Sequence, residues 1–283
     1  WKYLLGLELT DSGFDYSVLS EFRSRLLSGN KEALLLDKLL AQLQELGLLK
    51  ARGQQRSDST HVLASVRELN YLEHVCESMR AALNALAQEA PDWLRAVVPE
   101  AWVTRYGRRS EDYRLPQKGA AREAYLIQIG EDGFALLDAL ETAPEGARKL
   151  QQVAYLRDVW ALHYVREKDP DEPNEGVFTV RQTTFKEKPP VGERLESPYD
   201  PAVRYANKGR TQWVGYKVHL SESCDETLPH FLTHVLTTPA PFHDQHSAPL
   251  IHEALSKKNL LPGRHLVDAG YMNTKTLVDS IIQ

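Results

Sequence analysis

The sequence predicts an α/β layer protein, and two patterns carry that prediction. The first is Trp213-Val-Gly-Tyr-Lys-Val-His-Leu220, where Val214, Tyr216, Val218 and Leu220 alternate with Gly215, Lys217 and His219 at the period of a strand. The second is the order of the segments around it. A long stretch with helical period precedes it, and a strand (Phe231–Leu236), a helix (Gln245–Lys257), a strand (Arg264–Val267) and a helix (Asn273–Ile282) follow. Strands that alternate with helices in this way build a sheet covered by helices.

The elements follow from local pattern. Between Asp15 and Leu48 two helices are expected. Asp15 and Ser17 are candidate N-caps, and Val18, Leu19, Phe22, Leu26 and Leu27 recur at helical spacing. Ser28-Gly29-Asn30 breaks the first helix, and a leucine stripe from Leu34 to Leu48 makes the second. The pair reads as a packed helical hairpin or as a DNA-binding helical module. Gln54–Val62 is a strand candidate. Leu69, Leu72, Val75, Cys76, Met79, Leu83 and Leu86 then form one helical face, and Pro91 suits the first turn of another helix. Ala120–Leu140 and Ala147–Tyr164 are two further helices, parted by Thr142-Ala-Pro-Glu-Gly146. Residues 168–175 are acidic and proline-rich, which suits a linker. The chain begins at Trp1 inside a patterned segment and ends at Gln283 directly after a helical one, so it reads as part of a longer protein.

Of the 283 residues, 42% are hydrophobic and 26% charged, with a formal net charge of -5. This is an ordinary globular composition, and nucleic-acid binding must come from local patches rather than from bulk charge. Cys76 and Cys224 lie in no metal-ligand spacing and suit a reducing compartment. No apolar run is long enough to cross a bilayer, so no membrane partner is expected.

Asp58 and Asp268 are the leading candidates for chemistry. Leu266-Val-Asp-Ala-Gly-Tyr271 sets Asp268 at the end of a short apolar run, where α/β proteins often hold a metal or substrate. Two carboxylates on neighbouring strands suit Mg²⁺, which prefers hard oxygens and keeps several waters. Plainer readings compete: Asp58 as an N-cap ahead of Val62, and Asp268 as a turn-forming aspartate before Ala269-Gly270. His243 and His246, at i and i+3, suggest zinc, but no third ligand has suitable spacing, and Asp244 also works as an N-cap for the following helix. Arg105, Arg108, Arg109, Arg114, Lys118 and Arg122 are interleaved with Trp102, Tyr106 and Tyr113. Arg204, Lys208, Arg210 and Lys217 gather near Tyr205 and Trp213. Both mixtures suit a phosphate backbone with some base stacking, or else solvated charge.

In their order these pieces resemble the DDE transposases of bacterial insertion sequences. The matching segments are Asp58-Ser-Thr-His-Val62, Ser197-Pro-Tyr-Asp-Pro-Ala-Val-Arg-Tyr205, Lys208 through Gly215-Tyr-Lys-Val-His-Leu220, Thr237-Thr-Pro-Ala-Pro-Phe-His-Asp244 and Leu266-Val-Asp-Ala-Gly-Tyr271. Leu5-Gly-Leu-Glu-Leu9 and Phe14 to Arg23 resemble the helical N-terminal domain of the same family. The resemblance implies an RNase H-like mixed sheet with flanking helices, preceded by a helical region and interrupted by a helical insertion. The implied division is 1–50 for the N-terminal domain, 51–64 for the first strand, 65–175 for the insertion and linker, and 176–283 for the rest of the catalytic domain.

The resemblance further implies a triad of two Asp and one Glu that holds Mg²⁺, with Mn²⁺ as a substitute. Asp58 matches the first carboxylate and Asp268 the second, with Asp200 in Tyr199-Asp-Pro201 as the other candidate for the first. The Glu, in a Tyr-Arg-Glu-Lys-like context, has no match before Gln283. Implied partners are double-stranded DNA, contacted by Arg105, Arg108, Arg109, Arg204, Lys208, Arg210 and Lys217, and further copies of the chain assembled on that DNA. The implied location is the bacterial cytoplasm at the nucleoid. The implied activity is phosphodiester cleavage and strand transfer. The alternative is a non-catalytic DNA-binding remnant of a decayed transposase.

Overall fold

The structure is a computed structural model that describes residues 2, 6–168, 178–275 and 278. In chain order the elements are α1 (Tyr16–Ser28), α2 (Leu34–Glu45), β1 (Gln54–Leu63), α3 (Tyr71–Glu89), α4 (Pro91–Val97), α5 (Glu100–Tyr106), α6 (Ala120–Ala139), α7 (Glu145–Arg148), α8 (Gln151–His163), β2 (Tyr164–Lys168), β3 (Phe178–Gln182), β4 (Arg204–Lys208), β5 (Thr211–Ser223), β6 (Leu232–Pro239), α9 (Asp244–Lys257) and β7 (Arg264–Leu266). The class is mixed α/β. The sheet is mixed as well: β1 and β7 pair in parallel, while β4 and β5 pair antiparallel. The linker expected at 168–175 and the helix expected at Asn273–Ile282 lie largely outside the described residues. No helix among those described is long and apolar enough to cross a membrane.

The chain divides into two compact units. One comprises 1–58, 219–236 and 243–283, and the other 59–218 and 237–242. The strands β1, β5 and β6 each run from one unit into the other.

In the first unit, α1 is capped as expected. Asp15 Oδ1 accepts from Ser17 N at 2.8 Å, and the chain turns at Gly29 and at Asn30, whose φ is 49°. No residue of α1 is buried, so within the described residues the leucine-bearing α1 does not form the packed hairpin that its pattern allows. Helix α2 does pack: Leu40 and Leu43 join Leu49, Ala248, Ile251, Leu255, Leu260 and Tyr271 in one core. The sheet of this unit presents a polar inner layer. Gln55, Ser57, His219, Ser221, Ser223 and Thr233 are all buried. The β5 alternation therefore buries the opposite phase from the one the apolar pattern suggests. Leu220 is exposed, and Val214, Tyr216 and Val218 are only half-buried. The reason is hydrogen bonding, which makes burial of polar side chains tolerable. Ser57 Oγ lies 2.5 Å from Ser221 Oγ and 2.8 Å from His265 Nε2, while Thr233 Oγ1 donates to Gln55 Oε1 at 2.7 Å.

The second unit is built on α3, α6 and α8. Leu72, Val75, Cys76, Met79 and Leu86 of α3 are buried against Leu126, Ile129 and Leu136 of α6 and Val153, Leu156, Val159 and Trp160 of α8. Asn70 and Glu73 form a reciprocal capping box at the start of α3, and Pro91 opens α4. Gly130 and Gly133 let α6 approach its neighbours: a Cβ on Gly133 would stand 1.9 Å from Trp160 Cε2. Helix α8 ends at His163 with no breaker, and β2 starts at the next residue, pairing with β3 from Tyr164↔Gln182 to Lys168↔Phe178. At the β4–β5 hairpin, Gly209 takes a φ of 61° between Lys208 and Arg210.

Candidate functional site

Asp58 lies within β1, on the face that points away from buried Gln55 and Ser57. It is a strand residue, not the helix N-cap of the competing reading, because α3 begins only at Tyr71. The β1–β7 ladder pairs Gln54 with Arg264, Gln55 with His265 and Arg56 with Leu266. Extended two residues past the last pair, the same offset would set Asp58 opposite Asp268. Neighbouring strands lie about 4.8 Å apart, and a spacing of two residues returns to the same face. Asp268, two residues past the end of β7, has an extended backbone (φ -74°, ψ 170°).

Asp268 also forms its turn. Its Oδ1 accepts from Gly270 N at 3.0 Å, which starts the 3-10 turn Ala269–Tyr271. The turn-forming reading and the site reading therefore describe one geometry. Tyr271 anchors the turn from below. It is fully buried, and its hydroxyl lies 2.7 Å from His219 Nδ1, whose Nε2 is 3.0 Å from Ser247 Oγ of α9.

A third carboxylate stands nearby. A Cβ on Gly270 would meet Asp268 Oδ1 at 3.1 Å and Asp244 Oδ2 at 3.5 Å, so these oxygens flank the glycine from two elements. Asp244 is the first residue of α9; the N-cap position is His243. The N-cap role expected of Asp244 thus falls one residue earlier. The sequence shows Asp244 in a Phe-His-Asp context but gives no sign that α9 folds back onto the Asp268 turn.

As a donor set, Asp58 and Asp268 offer the hard oxygens that Mg²⁺ prefers. Among the described residues no group of three or more His, Cys, Asp or Glu side chains is placed to hold a metal ion. The His243 and His246 rings lie 6.4 Å apart. Asp200 sits in a loop, where its Oδ1 accepts from Tyr216 Oη at 2.5 Å.

The basic residues fall into two groups. Arg105 is bound by buried Asp132, Arg204 donates to Pro201 O (2.7 Å) and Val203 O (2.8 Å), and Lys217 Nζ donates to Phe242 O at 2.8 Å. Arg108, Arg109, Lys208 and Arg210 are exposed. The stacking expected from the first patch is corrected in part. Trp102 and Tyr106 are 5% and 2% exposed and belong to the helical core, which leaves Tyr113 on the surface. In the second patch Trp213 is buried with Ala206 and Ala240.

Two buried carboxylates on α3, which the sequence reading passed over, organise the segment after α5. Glu77 is fully buried. Burial raises its pKa, but the Arg80 guanidinium, the Tyr199 hydroxyl and Ser110 N–H outweigh burial and hold it below the usual range. Glu73 binds Arg67 at 2.7 Å and accepts from Asp112 N at 3.0 Å. Their spacing at i and i+4 on a helix was the only available signal, and it also fits a solvated face.

Comparison of the chain with models of known families, with characterised proteins and with solved structures gives no match.

Proposed function

We propose that the chain carries part of the catalytic centre of an insertion-sequence DDE transposase, built on an RNase H-like sheet and acting by Mg²⁺-dependent phosphodiester cleavage and strand transfer. The observation that carries the reading is the parallel β1–β7 register, whose extension by two residues would set Asp58, in the middle of β1, opposite Asp268, two residues past the end of β7. Asp58 and Asp268 would hold the ion, and Mn²⁺ would serve as its substitute. Mg²⁺ bound there would polarise a phosphodiester oxygen and favour an attacking hydroxyl. The chain's own part is placement. β1 fixes Asp58, the Tyr271–His219 contact fixes the turn that bears Asp268, and Asp244 borders it. Double-stranded DNA is the proposed substrate, met by exposed Arg108, Arg109, Lys208 and Arg210 in an oligomer of the chain at the nucleoid.

The test is Mn²⁺ binding followed by electron paramagnetic resonance, with nicking of supercoiled DNA in Mg²⁺ as a second readout. Asp58→Asn and Asp268→Asn should each weaken Mn²⁺ binding by about ten-fold or more, while Asp200→Asn leaves it unchanged. Equal binding by all three variants and the parent chain would overturn the reading. A second reading is a DNA-binding chain without catalysis, which the exposed Arg108, Arg109, Lys208 and Arg210 would serve equally well. It predicts DNA binding without Mn²⁺ binding or nicking.

A further inference from the structure

We propose that the helical unit carries a preorganised oxyanion pocket for the backbone phosphates of duplex DNA, formed by Arg108, Arg109 and Arg114. A cavity of about 620 Å³ opens between α5 and the segment after it, and Thr104, Arg105, Arg108, Arg109, Arg114 and Tyr125 are among its walls. Its charge is unbalanced. Asp132 neutralises Arg105, and Glu111 lies 3.4 Å from Arg114, but no further acid lines the cavity. Among the described residues Arg108 and Arg109 make no hydrogen bond or ion pair, so their guanidinium donors remain available. A second cavity of about 340 Å³ shares Arg109; its other arginines, Arg67 and Arg80, are paired with Glu73 and Glu77, so Arg109 is its one arginine without an ion pair among the described residues.

The arginines project from a segment that is already fixed. Buried Glu77 accepts from Ser110 N, buried Glu73 accepts from Asp112 N at 3.0 Å, and Arg67 donates to Ser110 O at 2.6 Å. Gly107 N returns to Val103 O at 2.9 Å and closes α5. Ordering costs for this segment are thus met on folding, before any ligand arrives. Guanidinium groups bind phosphate through paired N–H donors, and such charge-assisted bonds are stronger than neutral ones. A cation is excluded by the sign of the charge, and an apolar ligand by the desolvation of the arginines. That DNA supplies the phosphate rests on the function proposed above; the pocket's preference for phosphate does not.

The experiment measures binding of a labelled duplex oligonucleotide and, separately, of pyrophosphate to the whole chain, across a salt series. Parent, Arg108→Gln/Arg109→Gln and Arg95→Gln proteins are compared, Arg95 being an exposed arginine of α4 paired with Asp92. Both pocket arginines are exposed, so the double variant should melt with the parent. We expect it to bind duplex about ten-fold or more weakly, with the log–log salt slope reduced by roughly 2, while Arg95→Gln binds duplex close to the parent. Unchanged affinity and slope in the double variant would overturn the pocket. If the parent binds pyrophosphate but no duplex, and the double variant loses pyrophosphate, the phosphate site stands and the DNA source falls. If the parent binds neither probe, the pocket itself falls.

Discussion

The Tyr271 hydroxyl lies 2.7 Å from His219 Nδ1, and neither residue reaches solvent. This contact joins the turn after β7 to the centre of β5, and the turn carries Asp268. Tyr271→Phe keeps the ring and its edge-on packing against His219 but removes the buried hydroxyl–imidazole hydrogen bond. The expected cost is about 1–3 kcal/mol, read from urea unfolding. Mn²⁺ binding should weaken alongside it, because the Asp268 turn loses its anchor. A variant that keeps full stability would show that water replaces the hydroxyl.

Gly270 separates two carboxylates. Its φ is not in the left-handed region, so alanine is allowed by the backbone, but the added Cβ would meet Asp268 Oδ1 at 3.1 Å and Asp244 Oδ2 at 3.5 Å. Gly270→Ala should displace those oxygens by a few tenths of an ångström with little effect on folding. The expected outcome is a melting temperature close to the parent's together with weaker Mn²⁺ binding. A large loss of stability would mean that the turn has no room to yield.

Gly133 is a different case, because its neighbour is a buried indole. Trp160 is 1% exposed, and its Nε1 donates to Gly130 O at 3.0 Å, so the ring has no room to retreat from a Cβ at 1.9 Å. Gly133→Ala should destabilise the helical unit by about 1–3 kcal/mol or more, against the small gain that alanine brings to an exposed helix. Tryptophan fluorescence during urea unfolding reads this directly.

What the sequence makes legible follows from the range of the forces involved. The α3 face, the break at Gly29-Asn30 and the strand around Asp58 are local patterns, and they appear where expected. The β5 phase was not legible. Its buried residues His219, Ser221 and Ser223 are polar, and their partners Tyr271, Ser57 and Phe231 lie on other elements. β2 begins at Tyr164 with no breaker after α8, so a helical pattern runs straight into a strand. For the site, Asp268 was visible as a strand-end residue and Asp58 as one within a strand. Asp244 comes near the Asp268 turn only through the return of α9, an approach that no spacing along the chain encodes.

Buried histidines set the acid limit of the fold. Burial pushes the pKa of His74 down to about 4, and burial with the neighbouring His252 does the same to His265. His163 is pushed down to about 2 by burial, aided by His74, Lys188 and Arg194. An unfolded histidine titrates near about 6.5, so between that value and the folded value the unfolded chain binds more protons. Stability therefore falls as pH drops from about 6.5 to about 4, by up to about ten-fold in the folded-to-unfolded ratio per pH unit for each histidine. Above about pH 6.5 these residues contribute no pH dependence. His74 bonds Tyr155 Oη at 2.8 Å, and glutamine at this position keeps a polar atom for the hydroxyl while removing the titration. Urea midpoints measured at neutral pH and at about pH 4.5 should differ less for His74→Gln than for the parent chain. Equal differences would mean that His74 takes up its proton in the folded chain over the same range as in the unfolded one.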